Sequence, residues 1–75
     1  MTHIENAIQL LDVVALTGGL PERGLLRGQV GTVVEKLSAN AFEVEFSNER
    51  GQSYAQLAVD ESQLLVLHYH SPQAA

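Results

Sequence analysis

The residues of this chain whose types and spacing could do chemistry are two imidazoles, His68-x-His70, and two carboxylates at the same interval, Glu43-x-Glu45. On a strand, side chains at i and i+2 share a face. His68 and His70 would then present two nitrogens together, half of a tetrahedral zinc site. No cysteine exists to complete it, and His3 or Glu61 would have to be recruited from elsewhere. A strand end running into a tail needs no metal, and we expect neither metal nor cofactor. There the pair only tunes stability, because histidine titrates near neutrality. Glu43 and Glu45, with Glu35 near them across a hairpin, can divide into acid and base only where a pocket drives their pKa values apart. Flanking Val44 on an alternating strand, they are solvated instead. They read as a face for a basic partner, or as a charged surface that blocks strand-to-strand aggregation.

Other constellations are thinner. Gly28-x-x-Gly31 lacks the Lys-Ser/Thr ending of a phosphate loop, and no helix follows it, so it reads as strand geometry. Ser38, Ser47, Ser53, Ser62 and Ser71 fall in turns, strand edges or the tail, with no histidine or aspartate patterned beside them as in a catalytic triad. Tyr54 and Tyr69 are the only tyrosines and there is no tryptophan. A groove for proline-rich peptides wants several clustered aromatics. The chain is therefore expected not to be an enzyme.

The elements that must position these residues follow from period and punctuation. Residues 1–9 are a polar lead-in, in which Ile4 and Ile8 would share one face of a helical turn. Leu10–Leu16 is apolar on both parities apart from Asp12, as in a strand covered on most of both faces. Thr17–Gly28 holds four glycines and one proline, which argues for loop. Leu20, Leu25 and Leu26 break its polarity, so the loop is expected to fold back and tuck leucines under the sheet. Within it, Pro21 fixes φ and Gly24 allows a reversal. Glu22 and Arg23 stand at the tip, where a rigid loop would display them for recognition.

Gln29–Leu37 is a second strand, with Gly31 leaving room for a bulge or a close backbone crossing. Ser38-Ala-Asn40 is a turn in which asparagine suits positive φ. Phe42–Phe46 alternates strictly, with Phe42, Val44 and Phe46 inward and Glu43 and Glu45 outward. After a turn ending at Gly51, Gln52–Val59 is a fourth strand. Asp60–Gln63 is a short turn of 3₁₀ type, and Leu64–Tyr69 is the last strand. One domain over residues 10–69, with a flexible tail at 70–75, accounts for the chain. The fold class expected is all-β: a single small five-stranded SH3-like barrel with a long ordered first loop. A five-stranded barrel of the oligonucleotide-binding type would carry a helix between its third and fourth strands, and only a four-residue turn is available there.

Composition sets the outer limits. A chain of 75 residues makes one domain. A domain so small buries only about 60% of the surface that its unfolded chain exposes. Four basic residues against nine acidic ones give a net charge of −5. Affinity for nucleic acid comes largely from Lys and Arg on phosphates, so none is expected. No apolar run approaches the roughly 20 residues that cross a bilayer. The first residues lack the basic start and apolar stretch of a signal peptide, which makes the cytoplasm the expected location.

Asp12-x-Val14-x-Leu16, Leu20-Pro21-Glu22-x-Gly24-Leu25, Gly28-x-x-Gly31-Thr32-Val33-Val34, Glu43-Val44-Glu45-Phe46 and Gly51, in this order, resemble a family of short bacterial proteins known as domain of unknown function 4926. The resemblance covers roughly Leu10 to Leu67. It implies an SH3-like barrel, supplies no catalytic motif, and implies a dedicated protein partner encoded by a neighbouring gene. Gly28–Val34 also resembles the start of a KOW element, the loop and strand of RNA-binding barrels, though without their basic residues. The expected function is a non-catalytic protein–protein interaction module, an antitoxin-like or regulatory subunit. It would use Glu35, Glu43 and Glu45 together with the Leu20–Leu25 loop. A homodimeric structural protein and a KOW-like RNA-binding barrel stand as alternatives, so the chain is expected to be a monomer or a homodimer.

Overall fold

The computed structural model describes residues 7–68, and the expectations for the lead-in up to Asn6, for Tyr69, for His70 and for the tail lie outside them. Five strands follow one another: β1 (Val13–Leu16), β2 (Val30–Ser38), β3 (Ala41–Ser47), β4 (Ser53–Asp60) and β5 (Leu64–Val66). Two 3₁₀ turns, Pro21–Arg23 and Glu61–Gln63, interrupt them, and the described residues contain no α-helix. All neighbours are antiparallel, in the order β4-β3-β2-β1-β5. This is the all-β, five-stranded, barrel-like fold that the strand pattern predicts. The sheet is curled but not closed, because β4 and β5 lie at its two ends.

Alternation makes the core. Phe42, Val44 and Phe46 of β3 and Leu57 and Val59 of β4 bury their side chains with Val33, Val14, Leu16 and Leu64. Residues of one parity fall on one face of a strand, so three hydrophobic periods are enough to define the inner surface. Leu25 joins this cluster from the first loop, and Leu20 packs against it. Gly31, itself buried, lies where β3 leaves no room for a Cβ on β2.

Four details depart from the sequence reading. β1 begins at Val13, not Leu10. The Asp12 carboxylate accepts the Gln9 N–H at 2.8 Å, and the Asp12 N–H donates to the Gln9 carbonyl at 3.1 Å. That closes a turn in which Leu11 sits at φ 72°, so the chain cannot yet be extended. Asn40 does not take positive φ; among the described non-glycine residues only Leu11 does. The β2–β3 turn instead relies on hydrogen bonds between Ser38 and Asn40. Leu26 is 72% exposed rather than tucked inward, because the loop has already turned outward after Leu25. β5 stops at Val66, although the Leu67 N–H still reaches the Val13 carbonyl at 2.9 Å.

Candidate interaction face

The outer surface of β2 and β3 carries the carboxylates. Val33 stands opposite Val44, but the next pair is Glu35 opposite Glu43, so Val34 is an extra residue in β2. This bulge decides where Glu35 points. By simple alternation Glu35 would share the inward parity of Val33; the added residue turns it to the outer face beside Glu43. Glu45 follows two residues along β3 on the same face, opposite Thr32. Glu35 is exposed and the two β3 carboxylates are half-buried. Gln56 of β4 is opposite Glu45, yet its Nε2 donates diagonally to Glu43 Oε2 at 3.3 Å. The three carboxylates of the sequence reading are therefore brought together, with two like charges directly across a strand pair.

Glu22 and Arg23 are not part of that cluster. They sit on the 3₁₀ turn Pro21–Arg23, both exposed. Reciprocal backbone bonds between Leu20 and Leu25, of 2.8 and 3.1 Å, pinch the base of this turn. Gly24 closes it at φ 70°, its N–H donating to the Pro21 carbonyl at 3.1 Å. Leu25 then anchors the loop in the core. The loop leaves the sheet at Leu16 and returns before Val30, whereas Glu35 lies beyond the Val13–Thr32 pair. Glu45, opposite Thr32, lies nearer the end at which the loop enters β2, and the Glu35–Glu43 pair lies farther along. Gly28, at φ 88°, makes the turn into β2, its N–H donating to the Leu16 carbonyl at 2.7 Å.

Open surface grooves lie among the described residues. One, of about 450 Å³, is lined by Ile8, Glu61, Ser62, Leu64, Leu65 and Val66. Another, of about 460 Å³, is lined by Gln29, Ser47, Asn48, Glu49, Arg50 and Tyr54. Neither is lined by Glu35, Glu43 or Glu45; the half-burial of Glu43 and Glu45 is greater than their expected full solvation. Among the described residues no group of three or more His, Cys, Asp or Glu side chains is placed to hold a metal ion. His68 is exposed at the end of the described chain.

Two features escape a reading by period. The Asp60 carboxylate accepts from the Ser62 hydroxyl at 2.6 Å and the Ser62 N–H at 2.9 Å, which caps the turn into β5. Those two bonds, the hydroxyl's first, hold its pKa below the ordinary aspartate value of 3.8. The spacing Asp-x-Ser before a short turn was the available signal. The other is Gln29, whose Nε2 donates to the Tyr54 hydroxyl oxygen at 2.6 Å while its Oε1 accepts the Leu26 N–H at 2.9 Å. It ties the first loop to β4 across 25 residues, and no local pattern announces it.

Strand order, the long first loop and the 3₁₀ turn before β5 define the class: a small SH3-like β-barrel fold, with three carboxylates on the outer face of β2 and β3. The sequence model of domain of unknown function DUF4926 matches residues 10–66, and the chain belongs to that family. No curated protein and no solved structure matches it. Among the described residues no helix is long and apolar enough to cross a membrane.

Proposed function

We propose that this chain is a non-catalytic interaction module that docks one dedicated, basic protein partner, as an antitoxin-like or other regulatory subunit in the cytoplasm. The observation that carries the reading is the Glu35–Glu43 pair. Like charges directly opposite on a sheet are destabilising. Here a bulge turns Glu35 outward to face Glu43, and Glu45 extends the same surface. A residue choice that works against stability without a local gain is expected at functional positions. Lysine or arginine from a partner would relieve the repulsion and speed encounter. The loop at Glu22 and Arg23, pinned by Leu25, presents a second contact on a separate element.

The test is titration calorimetry of the purified partner against wild-type chain and against a chain carrying Glu43→Lys with Glu45→Lys. Both chains should give the same far-UV circular dichroism, and the variant should bind at least tenfold more weakly. Equal affinities would remove the face from the account.

A further inference from the structure

We propose that the partner enters as an extended segment bearing alternating lysines or arginines, which adds a strand to the open edge of β4 and reaches across Ala58 to Glu43. This rests on the acidic-face reading above and specifies how that face is approached.

The backbone provides the edge. In an antiparallel sheet the residues of a strand alternate in pointing their N–H and C=O groups to one neighbour or the other. The Glu61 N–H donates to the Asn40 carbonyl at 2.8 Å, and the register runs unbroken from Ala41–Asp60 to Phe46–Ala55. Leu57 and Val59 therefore bond to β3. The Val33 N–H donates to the Asp12 carbonyl at 2.9 Å, which fixes the same alternation from the far side of β2. Gln56 and Ala58 are left with their N–H and C=O groups directed away from β3, and among the described residues β4 is the last strand on that side. A long edge is ordinarily blunted by lysine, proline or a bulge. β4 has eight residues, no lysine or proline, a single charge at its final residue Asp60, and no register shift from Ala55 onward. β5, the other end strand, is only three residues long, and its Leu64 N–H is already taken by the Glu61 carbonyl.

Side chains name the occupant. Two rows cross the outer face beside this edge: Ala58, Glu43, Glu35 and Gln56, Glu45, Thr32. A strand added to β4 would lie about 10 Å from β3, two strand spacings away. Ala58 is exposed and offers only a methyl group between them. The aliphatic stem of a lysine or arginine lies over such a residue and places its charge beside Glu43. Gln56 already leans toward that carboxylate. A second copy of this chain would fit the edge less well, since it brings its own net charge of −5 and its own glutamate rows.

The probe is an end-blocked eight-residue peptide alternating lysine with threonine, followed by NMR with amide hydrogen exchange on the full chain. Saturable binding should slow exchange at the Gln56 and Ala58 amides and should weaken as salt rises. Ala58→Pro removes an N–H that faces the open edge, where a sheet tolerates proline. Ala58→Lys is a second variant that keeps the backbone and opposes the incoming charge. Each should weaken binding at least tenfold, with the circular dichroism of Ala58→Lys unchanged. Binding that Glu43→Lys abolishes but that leaves Gln56 and Ala58 exchange unaltered would overturn strand addition and leave the acidic face standing. Edge protection indifferent to Glu43→Lys would overturn the basic occupant and the acidic-face reading together. Protection that grows with protein concentration and needs no peptide would assign the edge to a second copy. No saturable binding would overturn the proposal.

Discussion

Gly31 of β2 stands opposite Phe46 of β3, and a Cβ on Gly31 would fall 2.9 Å from Phe46 Cδ1. It would also lie 2.7 Å from Val44 Cγ1 and 2.8 Å from the Glu45 carbonyl oxygen. The last contact is with backbone and cannot be relieved by a rotamer change. Gly31→Ala should therefore separate β2 from β3 locally and destabilise the chain by about 1–3 kcal/mol, the usual range for overpacking. A urea melt would show it as a lower midpoint at similar slope; an unchanged midpoint would mean the two strands are not so close.

The two adjacent leucines of the first loop should behave oppositely. Leu25 is 2% exposed and Leu26 is 72% exposed. Leu25→Ala removes a buried side chain and should cost about 2–5 kcal/mol, a large share of the stability of so small a domain. Leu26→Ala should stay within about 0.5 kcal/mol of wild type. Thermal unfolding of the pair gives the comparison directly, and equal losses would contradict the placement of the loop.

The Glu35–Glu43 pair predicts a gain. Glu35→Lys replaces a repulsion by an attraction across the strand pair and should stabilise the domain by about 0.2–1 kcal/mol. The gain should shrink as salt screens the pair. Denaturant melts at low and high ionic strength check both parts; a salt-independent change would point to packing instead of charge.

Asp60 sets a pH dependence. Its pKa is lowered in the folded chain by the Ser62 hydroxyl and then by the Ser62 N–H. A group with a depressed folded value stabilises the fold above its unfolded pKa, and that contribution is lost as pH falls through the folded value. Ser62→Ala should therefore lower Tm at neutral pH, and the deficit against wild type should narrow once pH drops below the ordinary value of 3.8. A deficit that persists unchanged into acid would assign the effect to something other than the Asp60 cap.

Much of this fold is legible in the sequence because hydrophobic period and turn residues mark it locally. Phe42, Val44 and Phe46 announce β3 by themselves, and the Thr17–Gly28 loop is marked by its glycines. What the sequence hides is decided by single residues acting against the pattern. The extra Val34 moves Glu35 from the parity of the core to the outer face, and no residue type there advertises a bulge. Leu11 at positive φ ends a strand pattern that its composition would extend. Leu25 and Leu26 are the same residue to any hydropathy scale, and only the reversal at Gly24 decides which one is buried. The candidate site was legible as a set of carboxylates; the 3₁₀ turn that carries Glu22 and Arg23 was legible only as a loop, because Gly24 and Pro21 mark a reversal without fixing its geometry.

The carboxylate face of β2 and β3 is proposed to hold a single basic partner. The most direct measurement is quantitative co-purification from the native cell of the tagged chain and of the same chain carrying Glu43→Lys with Glu45→Lys, read by mass spectrometry. One stoichiometric companion is expected on the wild-type chain, lost from the variant and released from wild type by salt. The same companion recovered equally on both chains, or the chain recovered alone, would contradict it.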